Sequence, residues 1–551
     1  MTEPILFVVH DDPDTLTTVA SALQRRFGAD YRILTEACPT QALARLEAAC
    51  GSGEPVALVI AGVSTPDQSA CDWLARVHEL CPRASRCALV RYGEGPTYPV
   101  VRRALVLGQV DTYLLMPVGD PEERLYPMVS EILASWARAT RPRVPVVTIV
   151  GERWAERSHE LRDLLSRASV PFAFLAHDSD EGRALLARAG HTGALPAVMF
   201  RDQCLADPTN VELARMLGAG SHAEGGLYDL VIVGGGPAGL AAAVYGASDG
   251  LRTLVIERQV VGGQAGTSSM IRNYLGFPRG LSGAELAARA QEQAVSLGAE
   301  FLLTTDVVAV NAVGAERVVT LAEGAEVRAR TVVIATGVSY NRLAIEGIDG
   351  LLGKGVFYGA ATSEAPAHAG RDVFVVGGGN SAGQAAAHLA RYAASVTVLV
   401  RAGGLTMSDY LVRQLARTDN VRIRYHAEVA GVVGTRRLEA IDVRDTESGV
   451  IERLAARAMF VLIGAGPHTD WLDKTVQRDG QGHILTGRHV DRDEAARPAW
   501  TETRAPLMLE TSLPGVFAAG DVRHNSPRGV AAAVADGANA ARASWEYLHG
   551  E

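Results

Sequence analysis

A strand that runs straight into a glycine-rich turn and then into a helix constrains this chain more than any other feature. Residues 228–247 read YDLVIVGGGPAGLAAAVYGA: an apolar strand, the turn Gly234-x-Gly236-x-x-Gly239 with Pro237 and Ala238 inside it, and a helix. The glycines let the backbone approach a diphosphate resting on the positive end of that helix. Glu257 closes the next strand, RTLVIER, about twenty residues on, where a carboxylate can accept hydrogen bonds from an adenosine ribose. A lone glycine pattern says little, but in a strand–turn–helix setting it predicts a dinucleotide site.

The arrangement recurs downstream. RDVFVVGGGNSAGQAAAHLA supplies a second strand, Gly377 to Gly379, and a helix opened by Asn380, Ser381 and Ala382. Two such turns predict two bound dinucleotides and an α/β architecture around them. The strand after the second turn, SVTVLVR, ends in Arg401 instead of an acid. That substitution suits a 2′-phosphate, so NADPH is favoured, with NADH possible.

The remaining composition limits what else the chain can be. At 551 residues it exceeds one hydrophobic core, and with 48% apolar and 21% charged residues it reads as packed domains throughout. A net charge of -9 without a long basic run argues against nucleic acid and against an anionic membrane surface. No apolar stretch approaches a bilayer-crossing length. The start, MTEPILFVVHDD, reads as a first strand and not a secretory signal, so a cytoplasmic location is expected. Six cysteines, Cys38, Cys50, Cys71, Cys81, Cys87 and Cys204, show neither metal-type spacing nor a C-x-x-C pair, and no metal is expected. Pro/Arg-rich ATRPRVP and Gly-rich LGAGSHAEGG read as linkers that set off units at 1–138 and 145–218 from a large one beginning at 226.

In the first unit short apolar runs (ILFVVH, VALVIAGV, CALVRYG, DTYLLMPV) alternate with amphipathic stretches, which predicts a parallel sheet between helices. The unit resembles a two-component receiver domain of flavodoxin fold, with Asp11 and Asp12 matching the metal-binding acids. Aligned on Pro66, Arg91 and Pro117, the phospho-acceptor, hydroxyl and lysine places hold Gly62, Arg91 and Met116, so there is no carboxylate to phosphorylate and the acids are expected to be a loop feature. The second unit, VPVVTIVG, a helix from about His159, VPFAFLAHD, a short helix and LPAVMF, resembles a thioredoxin fold. Trp154 to Ser158 stands where that fold has W-C-x-x-C, and Leu195-Pro196 stands in the cis-proline place. Both sulfurs are missing, so this unit cannot exchange disulfides, and Cys204 is expected to be a packed thiol.

From 226 to 551 the chain resembles the low-molecular-weight thioredoxin reductases. Gly262-Gly263-Gln264, the run Asn273 to Pro278, Ala335-Thr336-Gly337, GAGPHT at Gly464 to Thr469 and GVFAAGDV with Gly520 and Asp521 match that family's motifs in order. The resemblance implies an FAD domain in two segments, 226–345 and 470–551, around an NAD(P)H domain at 346–469. It places FAD on Gly234, Gly236, Pro237, Ala238, Gly239, Glu257, Gly263, Gln264, Asn273, Val308, Ala335, Thr336, Gly337, Gly520, Asp521 and the helix start Arg528, Gly529, Val530. NADPH falls on Gly377, Gly379, Asn380, Ser381, Ala382 and Arg401. A homodimer through the FAD domains and a rotation of the NADPH domain are also implied.

Departures accompany the match. The family's C-A-T-C follows G-V-x-Y; here Gly355 to Tyr358 is followed by GAATSEAP, so Gly359 replaces the first cysteine, Thr362 or Ser363 the second, and Glu364 takes the place of the acid. Beyond Cys204 there is no cysteine at all, so a flavin here has no thiol pair to reduce within the module. The family's H-R-R-x-x-x-R becomes Val400-Arg401-Ala402 with Thr406 last, two of three cations fewer. One reading is an FAD-dependent NAD(P)H oxidoreductase that passes electrons to an external non-disulfide acceptor. Gly359 to Ala361 would leave room beside the flavin, and Thr362, Ser363 or Glu364 would move a proton; the alternative is that this segment is a capped, solvated loop. A second reading is an FAD-binding redox-sensing scaffold whose receiver-like and thioredoxin-like units dock a protein partner. A third keeps thioredoxin-disulfide reductase activity by borrowing thiols from Cys204 or a partner.

Overall fold

The glycine-bounded apolar runs of the sequence become buried strands in the computed structural model, which describes residues 3–62, 69–91, 97–106, 108–116, 121–140, 145–168, 170–217, 225–268, 270–277, 280–359, 364–472, 474–491, 498 and 500–550. Pro66, Pro117, Pro278, Ala360, Ala361, Thr362, Ser363 and much of the two linkers lie outside those residues. The chain divides into two compact units, Met1–Arg143 and Val144–Glu551.

In the first unit β1 (Ile5–Val9), β2 (Arg32–Glu36), β3 (Val56–Gly62), β4 (Ser85–Val90) and β5 (Thr112–Leu115) form a parallel sheet in the order β2-β1-β3-β4-β5. Alternation along β1 sends Ile5, Phe7 and Val9 into one core and Leu6 and Val8 into another, as a sheet covered on both faces requires. Asp12 caps the helix Pro13–Phe27, its carboxylate accepting from the Thr15 amide at 3.1 Å, and Arg91 lies 3.6 Å away. At the end of β3, Gly62 is pressed against His10, and a Cβ there would come within 2.1 Å of the imidazole. Met116 follows β5 and is half-buried. Cys50 and Cys81 are joined by a disulfide that their spacing of 31 did not signal.

The second unit begins with a small sheet. β6 (Val147–Gly151), β7 (Phe172–Ala176), β8 (Ala197–Phe200) and β9 (Gln203–Ala206) lie in the order β7-β6-β8-β9; β6 and β7 are parallel and the other pairs antiparallel. The Leu195–Pro196 peptide is cis. Helix Glu156–Arg167 packs Leu161, Leu164 and Leu165 on this sheet, and Val260 from the larger part of the unit joins the same core.

That larger part holds two nucleotide-binding sheets. In one, β10 (Leu227–Val233), β11 (Thr253–Glu257) and β12 (Glu300–Leu303) run parallel, β13 (Val307–Val313), β14 (Glu316–Leu321) and β15 (Glu326–Ile334) form a meander, and the order is β12-β11-β10-β15-β14-β13. In the other, β17 (Val356–Tyr358), β18 (Asp372–Val376), β19 (Ser395–Leu399), β20 (Val421–Arg424) and β24 (Met459–Val461) are parallel in the order β17-β24-β18-β19-β20. The antiparallel strands β21 (Ala427–Val433), β22 (Ala440–Asp445) and β23 (Ile451–Ala455) form a third sheet. The two domains are joined where β16 (Val338–Tyr340) pairs with β25 (Ala465–Pro467), and β26 (Val516–Ala518) returns the chain to β15. Both glycine turns therefore sit at carboxyl ends of parallel strands, where α/β sheets bind ligands.

Candidate dinucleotide and flavin site

The register of β10 against β15 puts Val233 beside Ile334, so Gly234 and the Ala335–Gly337 turn arrive at one edge together. The first turn can close only because position 239 is glycine: a Cβ there would lie 1.8 Å from the Gly234 carbonyl oxygen. Gly236 then caps the helix Pro237–Ser248 without any side chain on the first-turn amides. Gly379 before Asn380–Leu389 and Gly529 before Val530–His549 do the same. Three helices thus present bare amino ends, each carrying partial positive charge and unpaired N–H donors.

These ends meet a cavity of about 560 Å³. Gly234, Gly236, Pro237, Ala238, Glu257, Gly263, Gln264, Ala335, Thr336, Gly337, Gly520, Asp521, Arg528, Gly529 and Val530 line it, together with Asn380 and Ser381 from the second turn. Gly239, Gly377 and Ala382 are not on its wall; Gly239 acts beneath the turn, as described. Asn273 and Val308 are exposed and do not line this cavity. Arg401 is also exposed and off the wall, at the carboxyl end of β19.

The polar groups on the wall are held in place. Glu257 Oε2 accepts from the Gly235 amide at 2.7 Å and Oε1 from the Gln259 amide at 2.9 Å. Burial pushes this carboxyl upward in pKa, against those two bonds and the charges of Arg167 and Arg258. Each carboxylate oxygen retains a lone pair, so a ribose hydroxyl can still donate to it. Gln264 Nε2 donates to the Val338 carbonyl at 2.7 Å, and the Thr336 hydroxyl donates to the His468 carbonyl at 2.8 Å. Burial raises Asp521 while Arg528 lowers it, with a net upward shift. The bare helix ends, the steric cradle and the ribose acceptor fit FAD, and a second dinucleotide fits beside Asn380 and Ser381.

Several wall residues were not singled out from the sequence. Gln384, Ala385 and His388 line the cavity from the helix that the predicted Asn380 and Ser381 open. Burial, then Arg391, lowers His388 to about 4, and its Nε2 has no partner among the described residues. Tyr340 lies on the wall with Gly359; a Cβ on Gly359 would be 3.0 Å from the tyrosine ring. Asp163 and Arg167 come from the small domain.

Of the residues expected to handle protons beside the flavin, Thr362 and Ser363 lie outside the described residues. Glu364 is fully buried and stands off the cavity wall. Its Oε1 lies 2.7 Å from His159 Nδ1 and 3.2 Å from Arg162, both on the small domain's helix. Burial pushes Glu364 up, but the hydrogen bond from His159 and the charge of Arg162 outweigh it and leave the carboxyl below its ordinary range. Beneath it His368 is buried against Trp154, Phe357 and Phe460, and burial drives it down to about 4. This carboxylate is committed to a domain contact rather than to a visitor at the flavin.

Residues 228–537 match the family model of the pyridine nucleotide-disulphide oxidoreductases. A thioredoxin reductase of Treponema pallidum is 33% identical over 321 residues, which is 58% of this chain and 97% of that protein. An NADH dehydrogenase of Bacillus subtilis is 27% identical over 508 residues, 88% of this chain and 94% of that one. Among solved structures, the Lactococcus lactis thioredoxin reductase in its FR conformation covers 59% of this chain and 100% of its own, with a TM-score of 0.53 and 27% identity.

Proposed function

Since the chain belongs to the pyridine nucleotide-disulphide oxidoreductases, as an FAD-dependent NAD(P)H oxidoreductase of the thioredoxin reductase type, we propose that its electrons leave for a non-disulfide acceptor. FAD held by the first glycine turn and Glu257 would supply the redox chemistry, with NADPH as the reductant. The observation that carries the reading is the wall beside Tyr340: Gly359 lines it with no sulfur to offer, and no cysteine follows Cys204 anywhere in the chain.

Cys204 does not fill the gap. It is half-buried off the cavity wall, 3.7 Å from His191, and burial raises its thiol, which keeps it protonated and a poor nucleophile. A single thiol also cannot close a disulfide with itself. Trp154, in the small domain's turn, packs on His368, and His159, one residue beyond that turn, holds Glu364, so the turn faces the NAD(P)H domain's own altered segment. In this reading the small domain is thioredoxin-like, a reading its strand order supports, and it sits where a disulfide partner would otherwise come. The amino-terminal unit is receiver-like in its 2-1-3-4-5 strand order and serves as a docking surface for a protein partner. A homodimer through the FAD domain and a cytoplasmic location belong to the same proposal; no helix among the described residues is long and apolar enough to cross a membrane.

Anaerobic stopped-flow mixing tests it. NADPH is expected to bleach the flavin absorbance within about seconds, and a soluble quinone, ferricyanide or oxygen to restore it, while oxidised thioredoxin and a small aromatic disulfide do not. Reoxidation by either disulfide at the rate of the best other acceptor would overturn the proposal. Bleaching that no acceptor reverses would favour the redox-sensing scaffold.

A further inference from the structure

We propose that Arg167, contributed by the small thioredoxin-like domain, is a ligand for the diphosphate of FAD, so that this domain forms part of the flavin site. The inference rests on the FAD assignment above and adds to it a residue that lies outside residues 228–537.

The helix Glu156–Arg167 runs along the larger part of its unit. Near its start His159 and Arg162 hold Glu364, and at its end Asp163 and Arg167, four residues apart and on one helix face, enter the cavity wall. Arg167 Nη1 donates to Gln259 Oε1 at 2.7 Å. Gln259 is two residues past Glu257, whose carboxylate is bonded to the Gly235 amide of the first glycine turn. Arg167 is also close enough to Glu257 to oppose the effect of its burial. The guanidinium is therefore beside Gln259 and Glu257, on the wall of the cavity that Gly236 and Pro237 also line.

Its donors are not used up there. The side chain is only 15% exposed; Nε is buried without a partner among the described residues, and Asp163 at 3.6 Å is an ion pair too long for a hydrogen bond. A buried donor left unpaired costs free energy that an oxyanion within reach would recover. A planar guanidinium in a cavity that must take a doubly charged diphosphate matches that ligand in charge and in fork geometry. Gln259, held at the other end of the group, fixes its direction.

The test uses the full chain, stripped of flavin and titrated with FAD by fluorescence quenching, for wild type, Arg167→Ala, Arg167→Lys and the surface control Arg183→Ala. Wild type binds FAD; Arg167→Ala is expected to raise the Kd about tenfold or more, Arg167→Lys to recover part of the loss, and Arg183→Ala to change nothing. The Kd of wild type should also rise more steeply with ionic strength than that of Arg167→Ala, because one fewer phosphate contact is screened. An unchanged Kd for Arg167→Ala overturns the inference and leaves the FAD site standing. So does a rise in the KM for NADPH alone, which would assign the cation to the other nucleotide. Equal losses in the Ala and Lys variants with a lowered apo melting temperature and an unaltered salt slope would show a packing role and overturn it too. If wild type itself fails to bind FAD, the site assignment falls first and this residue's role with it.

Discussion

At the first glycine turn the residue closing the neighbouring strand is folded back into the protein: Glu257 is buried, and both its oxygens accept backbone amides of its own turn and strand end. At the second turn the equivalent place on β19 leads into Arg401, which is exposed. That turn is braced by the bond from the Thr406 amide to the Gly378 carbonyl at 2.9 Å and by Asn380 Oδ1 accepting from the Ser408 amide at 2.6 Å. The residue at that place is thus rigid and desolvated beside the first turn and solvent-exposed beside the second. Such a difference separates a cofactor that stays from one that comes and goes.

The largest effects should come from a matched pair. Gly236 and Gly379 both have room for a methyl group, with the nearest heavy atoms at 3.9 and 3.8 Å and ordinary backbone angles, so alanine should fold at either position and obstruct only the ligand. Gly236→Ala is expected to purify without flavin colour. Gly379→Ala should stay yellow but be reduced by NADPH on the order of 100-fold more slowly, because the nucleotide is displaced from hydride-transfer geometry. Absorbance spectra and stopped-flow traces decide it; a colourless Gly379→Ala protein would mean the turns are not independent.

Acid and base should next pull the two turns apart. His388, on the second turn's helix, is held at about 4 by burial and by Arg391, below its ordinary 6.5. As pH falls from 6.5 toward 4 the unfolded chain takes up that proton first, so stability present above 6.5 is lost, by at most roughly 3 kcal/mol. Glu257 has the opposite sign: its carboxyl is raised by burial, so the stability it contributes is present at low pH and is lost as pH rises through that raised value. Apo melting curves across pH should show His388→Gln flattened on the acid side and Glu257→Gln flattened on the other. Parallel curves for wild type and both variants would remove this contrast.

The smallest change belongs to Arg401→Ala. An exposed cation contributes little, so the KM for NADPH should rise only about two- to fivefold at low salt, the KM for NADH should not move, and the gap should close at high salt. A loss beyond tenfold would place the residue in a drier setting than its exposure indicates.

How far the sequence could be read depended on whether a residue acts through its own backbone or across space. The turns at Gly234 and Gly377 were legible, because a backbone that must close over a diphosphate or leave a helix end bare admits few residue types; the Ala335–Gly337 loop and Asp521 came from the family resemblance. Asp163, Arg167 and His388 were not, since nothing local distinguishes them from any polar residue on a helix. Arg167 meets Gln259 across 92 residues, and His159 meets Glu364 across 205. Glu364 was read as an acid beside the flavin because its neighbours in sequence suggested it; its neighbours in space are a histidine and an arginine from another domain. Asp12 matches a receiver's metal-binding acid by position and, expected to be a loop feature, caps a helix.

The small domain spans the junction that β16 and β25 make between the two nucleotide-binding sheets: Val260 and Gln259 hold it on one side, Glu364 on the other. Swivelling residues 346–469 about that crossing would first have to part the buried Glu364 carboxylate from Arg162 and from its hydrogen bond to His159, an uncompensated separation that costs several kcal/mol. In this structure the domain lies as a strut across that hinge.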